Sequence, residues 1–163
     1  MRLTSRALLT LTIGLALPAA LGAQAARANF AGTYVLDVAQ SDQGQMVPQK
    51  LTQKIAQTAN QLVIERTQTN QMGESVATLK YALDGTPSVN EINIGGNAVS
   101  ISTIVAWEGG APVFNNTLNF NGNEIKQVDR WALDDGGKKL LVTRKFSMEG
   151  QENTIKLVLV KQP

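Results

Sequence analysis

The chain has 163 residues, with 15 Lys and Arg against 13 Asp and Glu, no Cys and no His. That length suits one domain with a core of its own and leaves little room for a second. The two zero counts exclude a disulfide frame, a thiolate nucleophile, a Ser-His-Asp triad, a histidine-ligated haem and the usual zinc sites.

The first element is an address. Arg2 and Arg6 precede an apolar run from Ala7 to Leu17, then Pro18 and a small-residue stretch with Ala23-Gln24-Ala25 and Ala26-Arg27-Ala28. This is the layout of a bacterial signal peptide, and both Ala-x-Ala triplets have the cleavage form. The clean apolar run falls short of the about 20 residues needed to cross a bilayer. Residues 1–28 therefore read as an export segment, and 29–163 as one mature domain in the periplasm or outside the cell, with no membrane span after cleavage. With no Cys, a lipid-anchored lipoprotein is excluded. Cleavage removes Arg2, Arg6 and Arg27 and no acid, leaving 12 basic against 13 acidic residues. The basic character belongs to the address, so nothing points to nucleic acid or an anionic membrane as partner.

From Asn29 onward, short segments rich in Val, Ile, Leu, Thr and aromatics alternate with turn clusters. These are Thr58-Ala59-Asn60, Asn70 to Glu74, Asp84-Gly85, Gly95-Gly96-Asn97, Glu108-Gly109-Gly110, Asn121-Gly122-Asn123, Asp135-Gly136-Gly137 and Glu149-Gly150. Gly, Asn and Asp tolerate the positive φ of tight hairpins. The cadence suits an antiparallel meander, with residues 43–50 holding a turn of helix at most. Period-two patterning gives each strand an apolar face. Successive faces carry Leu62, Ile64 and Arg66; Leu79, Tyr81 and Leu83; Val99, Ile101, Thr103, Val105 and Trp107; Phe114, Leu118 and Phe120; Leu140, Val142, Arg144 and Phe146; and Ile155, Leu157 and Leu159. The fold class is all-β. About 8–10 such strands predict an antiparallel up-and-down β-barrel, since closure buries the apolar faces and removes the edges. A two-sheet β-sandwich is the alternative.

The segment Phe30-Ala31-Gly32-Thr33-Tyr34-Val35-Leu36-Asp37 resembles the Gly-x-Trp entry strand of the calycins, the lipocalins and intracellular fatty-acid-binding proteins, with Tyr34 at the Trp position. Leu51 to Thr67, Arg130 to Thr143 and Leu157 to Gln162 are similar, in order, to the second and third, the late and the closing strands of the fatty-acid-binding proteins. The resemblance implies a calycin-like barrel. It does not extend to that family's usual anchor: the Arg and Tyr held on the last strand are matched here by Leu157 and Leu159. Residues 38–50, interrupted by Pro48, are also too few for the family's helical lid.

Arg66 and Arg144 stand among apolar neighbours on their faces. They either enter a cavity and hold an acidic head group or, the weightier reading, snorkel to the rim and pair with Glu65, Glu149 or Glu152. In the strand around residues 125–133, one parity turns Ile125, Asp129, Trp131 and Leu133 inward, and the other turns Val128, Arg130 and Ala132 inward. Bulk favours Trp131, whereas the calycin likeness would aim Arg130 at the cavity. Tyr34, Tyr81, Trp107, Phe114 and Phe120 either line a pocket or simply fill the barrel. The candidate ligand-binding set is Arg66, Arg144, Arg130, Tyr81, Trp107, Phe114, Leu157 and Leu159, with no catalytic or metal residues and no cofactor.

Asp134-Asp135 leads directly into Gly136-Gly137 and reads as a solvated turn. No phosphate loop, nucleophile elbow, Ser-x-x-Lys motif or calcium loop occurs. The reading is a periplasmic or secreted, lipocalin-like, non-catalytic binding protein for a small apolar or amphipathic ligand. Its alternative is a cell-envelope interaction module with a filled barrel and no ligand.

Overall fold

The computed structural model describes residues 26–163 except 45, 46, 72, 121 and 149. Residues 1–25 of the segment 1–28 that the sequence suggests as an export signal, and Glu149, therefore lie outside the described residues. Ten strands follow one another: β1 (Gly32–Leu36), β2 (Lys50–Gln57), β3 (Gln61–Asn70), β4 (Gly73–Ala82), β5 (Ser88–Ile94), β6 (Asn97–Glu108), β7 (Ala111–Phe120), β8 (Asn123–Asp134), β9 (Lys139–Met148) and β10 (Gln151–Lys161). They form one sheet in the order β4-β3-β2-β1-β10-β9-β8-β7-β6-β5, antiparallel throughout. The up-and-down barrel is what the structure contains, and the two-sheet sandwich is not.

Period-two alternation explains the curl. In β2, Leu51, Gln53 and Ile55 are buried while Thr52, Lys54 and Ala56 are exposed, and the same rhythm runs through the later strands. Burying the apolar face of every strand at once requires the sheet to roll up on it. The hairpin turns hold the register. Ile94 faces Asn97 across Gly95-Gly96, and Glu108 faces Ala111 across Gly109-Gly110. Both loops need two successive positive φ angles, 58° and 87° in the first and 57° and 84° in the second, which glycine adopts without strain.

The ring closes at two places. Between β1 and β10, Tyr34 faces Lys161 and Leu36 faces Leu159. Between β4 and β5 side chains complete the seam. The Lys80 N–H donates to Asn90 Oδ1 (2.7 Å), Asn90 Nδ2 donates to the Lys80 carbonyl (3.0 Å), and the Ala82 N–H donates to Ser88 Oγ (2.8 Å). The primary amide of Asn90 thus stands in for a peptide group of a neighbouring strand.

One barrel end is plugged. Phe30 is fully buried and meets Trp131 edge-on at 5.7 Å. The strap leading to it is tied down by the Ala28 N–H on the Gly110 carbonyl (2.9 Å) and by Gln57, whose amide serves the Ala28 carbonyl and the Phe30 N–H at 2.9 Å each. At the other end, where β3, β5, β7 and β9 finish, the connection from β1 to β2 lies along β10. There the Val158 N–H donates to Ser41 Oγ (2.9 Å) and the Lys156 N–H to Asp42 Oδ2 (2.7 Å). Of the helical turn allowed for residues 43–50, the described residues show one bond, from the Val47 N–H to the Gly44 carbonyl (3.2 Å).

Candidate functional site

The barrel encloses two connected spaces. The larger, about 390 Å³, opens at the unplugged end and is walled by Ile92, Ile94, Ile101, Leu118, Phe120, Ile125, Phe146 and Ile155. The smaller, about 50 Å³, lies deeper, among Gln53, Tyr81, Phe114, Asn116, Asp129, Trp131 and Leu157. Arg66, Gln68, Ile101, Gln127 and Arg144 line both and so form the waist between them. A space of 50 Å³ has room for a few water-sized groups. The larger one falls within the roughly 300–1,000 Å³ usual for small-molecule sites.

The waist gathers the interior charge. Asp129 on β8 and Arg144 on β9 are directly opposed and joined by two hydrogen bonds, Nε to Oδ1 at 2.9 Å and a second guanidinium nitrogen to Oδ2 at 2.7 Å. Burial alone would lower the Arg144 pKa, but the Asp129 charge and hydrogen bonds outweigh it and hold the value above the ordinary one. Gln127 Nε2 donates to Asp129 Oδ1 at 3.1 Å. Arg66 on β3 is different. Among the described residues no hydrogen-bond or ion-pair partner meets its guanidinium, and burial pulls its pKa down. The Tyr81 hydroxyl is pushed up to about 12, chiefly by burial, with Arg66 opposing and Asp129 adding to the rise. It is a neutral donor at any physiological pH.

Both arginines therefore point inward, and among the described residues neither Glu65 nor Glu152 pairs with them. Glu65 pairs with Lys54 at 3.3 Å and Glu152 with Lys145 at 4.0 Å, both on the outside. Arg130 also needs correction: Trp131 takes the inward position, 5% exposed, so the next residue along the strand faces out. There Arg130 pairs with Glu108 at 3.3 Å. Tyr81, Phe114 and Leu157 reach the small space. Trp107 does not border either space. It sits toward the plugged end, donating Nε1–H to the Leu83 carbonyl (3.2 Å) under the Arg27 guanidinium, 4.6 Å from its ring. Leu159 is fully buried core, as is Tyr34. Filling and lining both occur: Tyr81 meets Phe114 edge-on at 5.1 Å and Phe114 meets Trp131 at a tilt at 4.7 Å, and all three rings border the void.

Gln53 is a site residue that the sequence reading passed over. It is 7% exposed, stands opposite Arg66 on the neighbouring strand, and its Oε1 has no partner. A signal was present: Gln53 shares its parity with Leu51 and Ile55, where a polar side chain is out of place unless it has something to bind.

No protein-family model matches the chain, and neither does any curated protein. Solved structures do. The zebrafish ileal bile acid-binding protein, complexed with cholic acid, superposes with a TM-score of 0.54 and 21% identity, covering 82% of this chain and 98% of that one. The fatty-acid-binding protein of Manduca sexta follows at TM-score 0.48 and 14% identity, covering 81% and 99%. What the first likeness establishes is architecture: this chain has the calycin-type, ten-stranded up-and-down barrel of the bile acid-binding protein.

Proposed function

We propose that the protein is a non-catalytic binder of a small amphipathic molecule, whose apolar part fills the 390 Å³ cavity. The observation that carries this reading is the cavity wall. Eight aliphatic and aromatic side chains from six strands face a space open at one end, its polar lining being Arg66, Gln68, Gln127 and Arg144 at the waist and Asn70 at the rim. A filled barrel serving only as an interaction module would have no reason to leave that space between apolar faces. The bile acid-binding protein that shares the fold holds cholic acid, which supports the same use of the interior here. The driving force would be burial of ligand surface, about 0.8 kcal/mol per CH₂.

The test is binding of the neutral solvatochromic dye Nile red to delipidated protein, followed by displacement with amphiphiles. Saturable, displaceable binding that Ile101→Lys abolishes supports the cavity. Binding of neither dye nor amphiphile assigns the barrel to an interaction role.

Export to the periplasm or the medium is part of the proposal, resting on the arrangement of residues 1–28. Of the two Ala-x-Ala triplets, the earlier is favoured. Cleavage after Ala25 keeps Arg27 over Trp107 and the Ala28 bond to Gly110, both of which cleavage after Ala28 would remove. Mass spectrometry of the exported protein should find Ala26 at the N-terminus.

A further inference from the structure

We propose that the floor of the cavity is a receptor for one singly charged, planar head group, a carboxylate, held by Arg66 with Gln53 and Tyr81, so that the ligand lies head-down with its tail toward the mouth. This rests on the cavity being a ligand site. The argument begins with charge. Three ionised side chains meet at the waist, and Asp129 already neutralises Arg144 through both its oxygens. Arg66 is left as one uncompensated cation in a site of low dielectric, an arrangement that is unfavourable without a counter-charge. One negative charge balances it. Two would leave the floor with an excess anion, in the same small space that Asp129 lines.

Geometry supplies the rest. A guanidinium presents its donors in a planar fork that matches the two oxygens of a carboxylate. Gln53 stands on the adjacent strand at the same rung, buried, with its amide oxygen unpartnered. Turned end for end, that amide donates instead of accepting, so it too can serve a carboxylate oxygen. The Tyr81 hydroxyl makes no hydrogen bond with the described residues, and it lines the same 50 Å³ space. Unpartnered polar groups on three adjacent strands, β2, β3 and β4, thus converge on a volume suited to a head group and too small for a tail. The apolar space continues from there in one direction only, toward the open end. This anchor stands on the early strands. The last strand presents Leu157 and Leu159, which cannot hold an anion.

Calorimetric titration of the delipidated protein with decanoate, decanol and decyl phosphate, each below its aggregation concentration, tests the assignment. Decanoate should bind about tenfold or more tighter than decanol, the range that charge-assisted hydrogen bonds confer, and also tighter than the phosphate. In Arg66→Gln the preference should vanish while decanol affinity stays within about threefold of the parent. The variant should melt at a temperature no lower than the parent, because it removes an unpaired, half-buried cation from the barrel interior. Equal affinity of the parent for decanoate and decanol, tighter binding of the phosphate, or an undiminished preference in Arg66→Gln would overturn the head-group assignment and leave the cavity reading intact. Failure of all three amphiphiles to bind the parent would remove both.

Discussion

Asp129 and Arg144 face each other across one rung of the sheet, β8 against β9, and close a two-point ion pair inside the barrel with contacts of 2.9 and 2.7 Å. The pair is the electrostatic keel of the interior, since it turns one of two inward arginines into a neutral unit.

Breaking it from one side should therefore be costly. Asp129→Ala leaves Arg144 and Arg66 as two facing cations and should destabilise the protein by about 3 kcal/mol in urea unfolding. The lower part of the usual range applies because the Arg144 side chain keeps 22% exposure toward the cavity. Replacing both partners, Asp129→Leu with Arg144→Met, should recover most of the loss. A double variant as unstable as Asp129→Ala would mean that the partners act independently.

Tyr81 gives the alkaline limb of the stability curve a definite sign. Its hydroxyl ionises near 10 when unfolded and about 12 when folded. Because the folded value is the higher one, the stability it contributes is complete below pH 10 and is lost as pH rises toward 12. The loss should reach about 2–3 kcal/mol. Tyr81→Phe should unfold with a flatter alkaline limb and nearly unchanged stability at neutral pH, since the hydroxyl has no partner among the described residues to lose.

Asn90→Ala removes both bonds to the Lys80 peptide at the seam. A cost of about 1–2 kcal/mol is expected. The sharper readout is amide exchange. Lys80 should lose protection by at least an order of magnitude while β8 and β9 amides follow only the global change. Uniform loss across the barrel would show that the seam opens only with the whole fold.

At the plugged end, Phe30→Ala should cost about 3–5 kcal/mol, because the ring is fully buried and its removal leaves Trp131 beside a cavity. Its effect on amphiphile binding should be small. The plug lies at the opposite end from the mouth, so stability and affinity separate in this variant.

The strand faces were legible in the sequence because a period of two places Leu62, Ile64 and Arg66, or Leu140, Val142 and Arg144, on one side whatever the tertiary context. Partner choice was not. The Asp129–Arg144 pair joins residues 15 apart in sequence and depends on the register of β8 and β9, which the turn at Asp135–Gly137 decides. Rim glutamates nearer in sequence were the natural candidates for the arginines, and of these Glu65 and Glu152 face solvent with lysines of their own. Arg130 misled for a related reason: a resemblance between short motifs can slip by one residue, and one residue is the whole difference between inside and outside. Gln53, Asn90 and Asn116 carry polar side chains at inward positions in otherwise apolar alternation, and that anomaly is the readable mark of a built interior.

The adjacency of β1 and β10 has a topological consequence. The first and last strands are neighbours, fastened by the Gln162 N–H on the Thr33 carbonyl at 2.8 Å, while every other strand pair in the ladder is a hairpin of consecutive strands. Cutting a hairpin at the open end, such as Gly95-Gly96, and splicing the old termini with a linker would change the reading order and leave every ladder bond in place. In this molecule the point at which the necklace is unclasped is an accident of translation, and its beads do not depend on it.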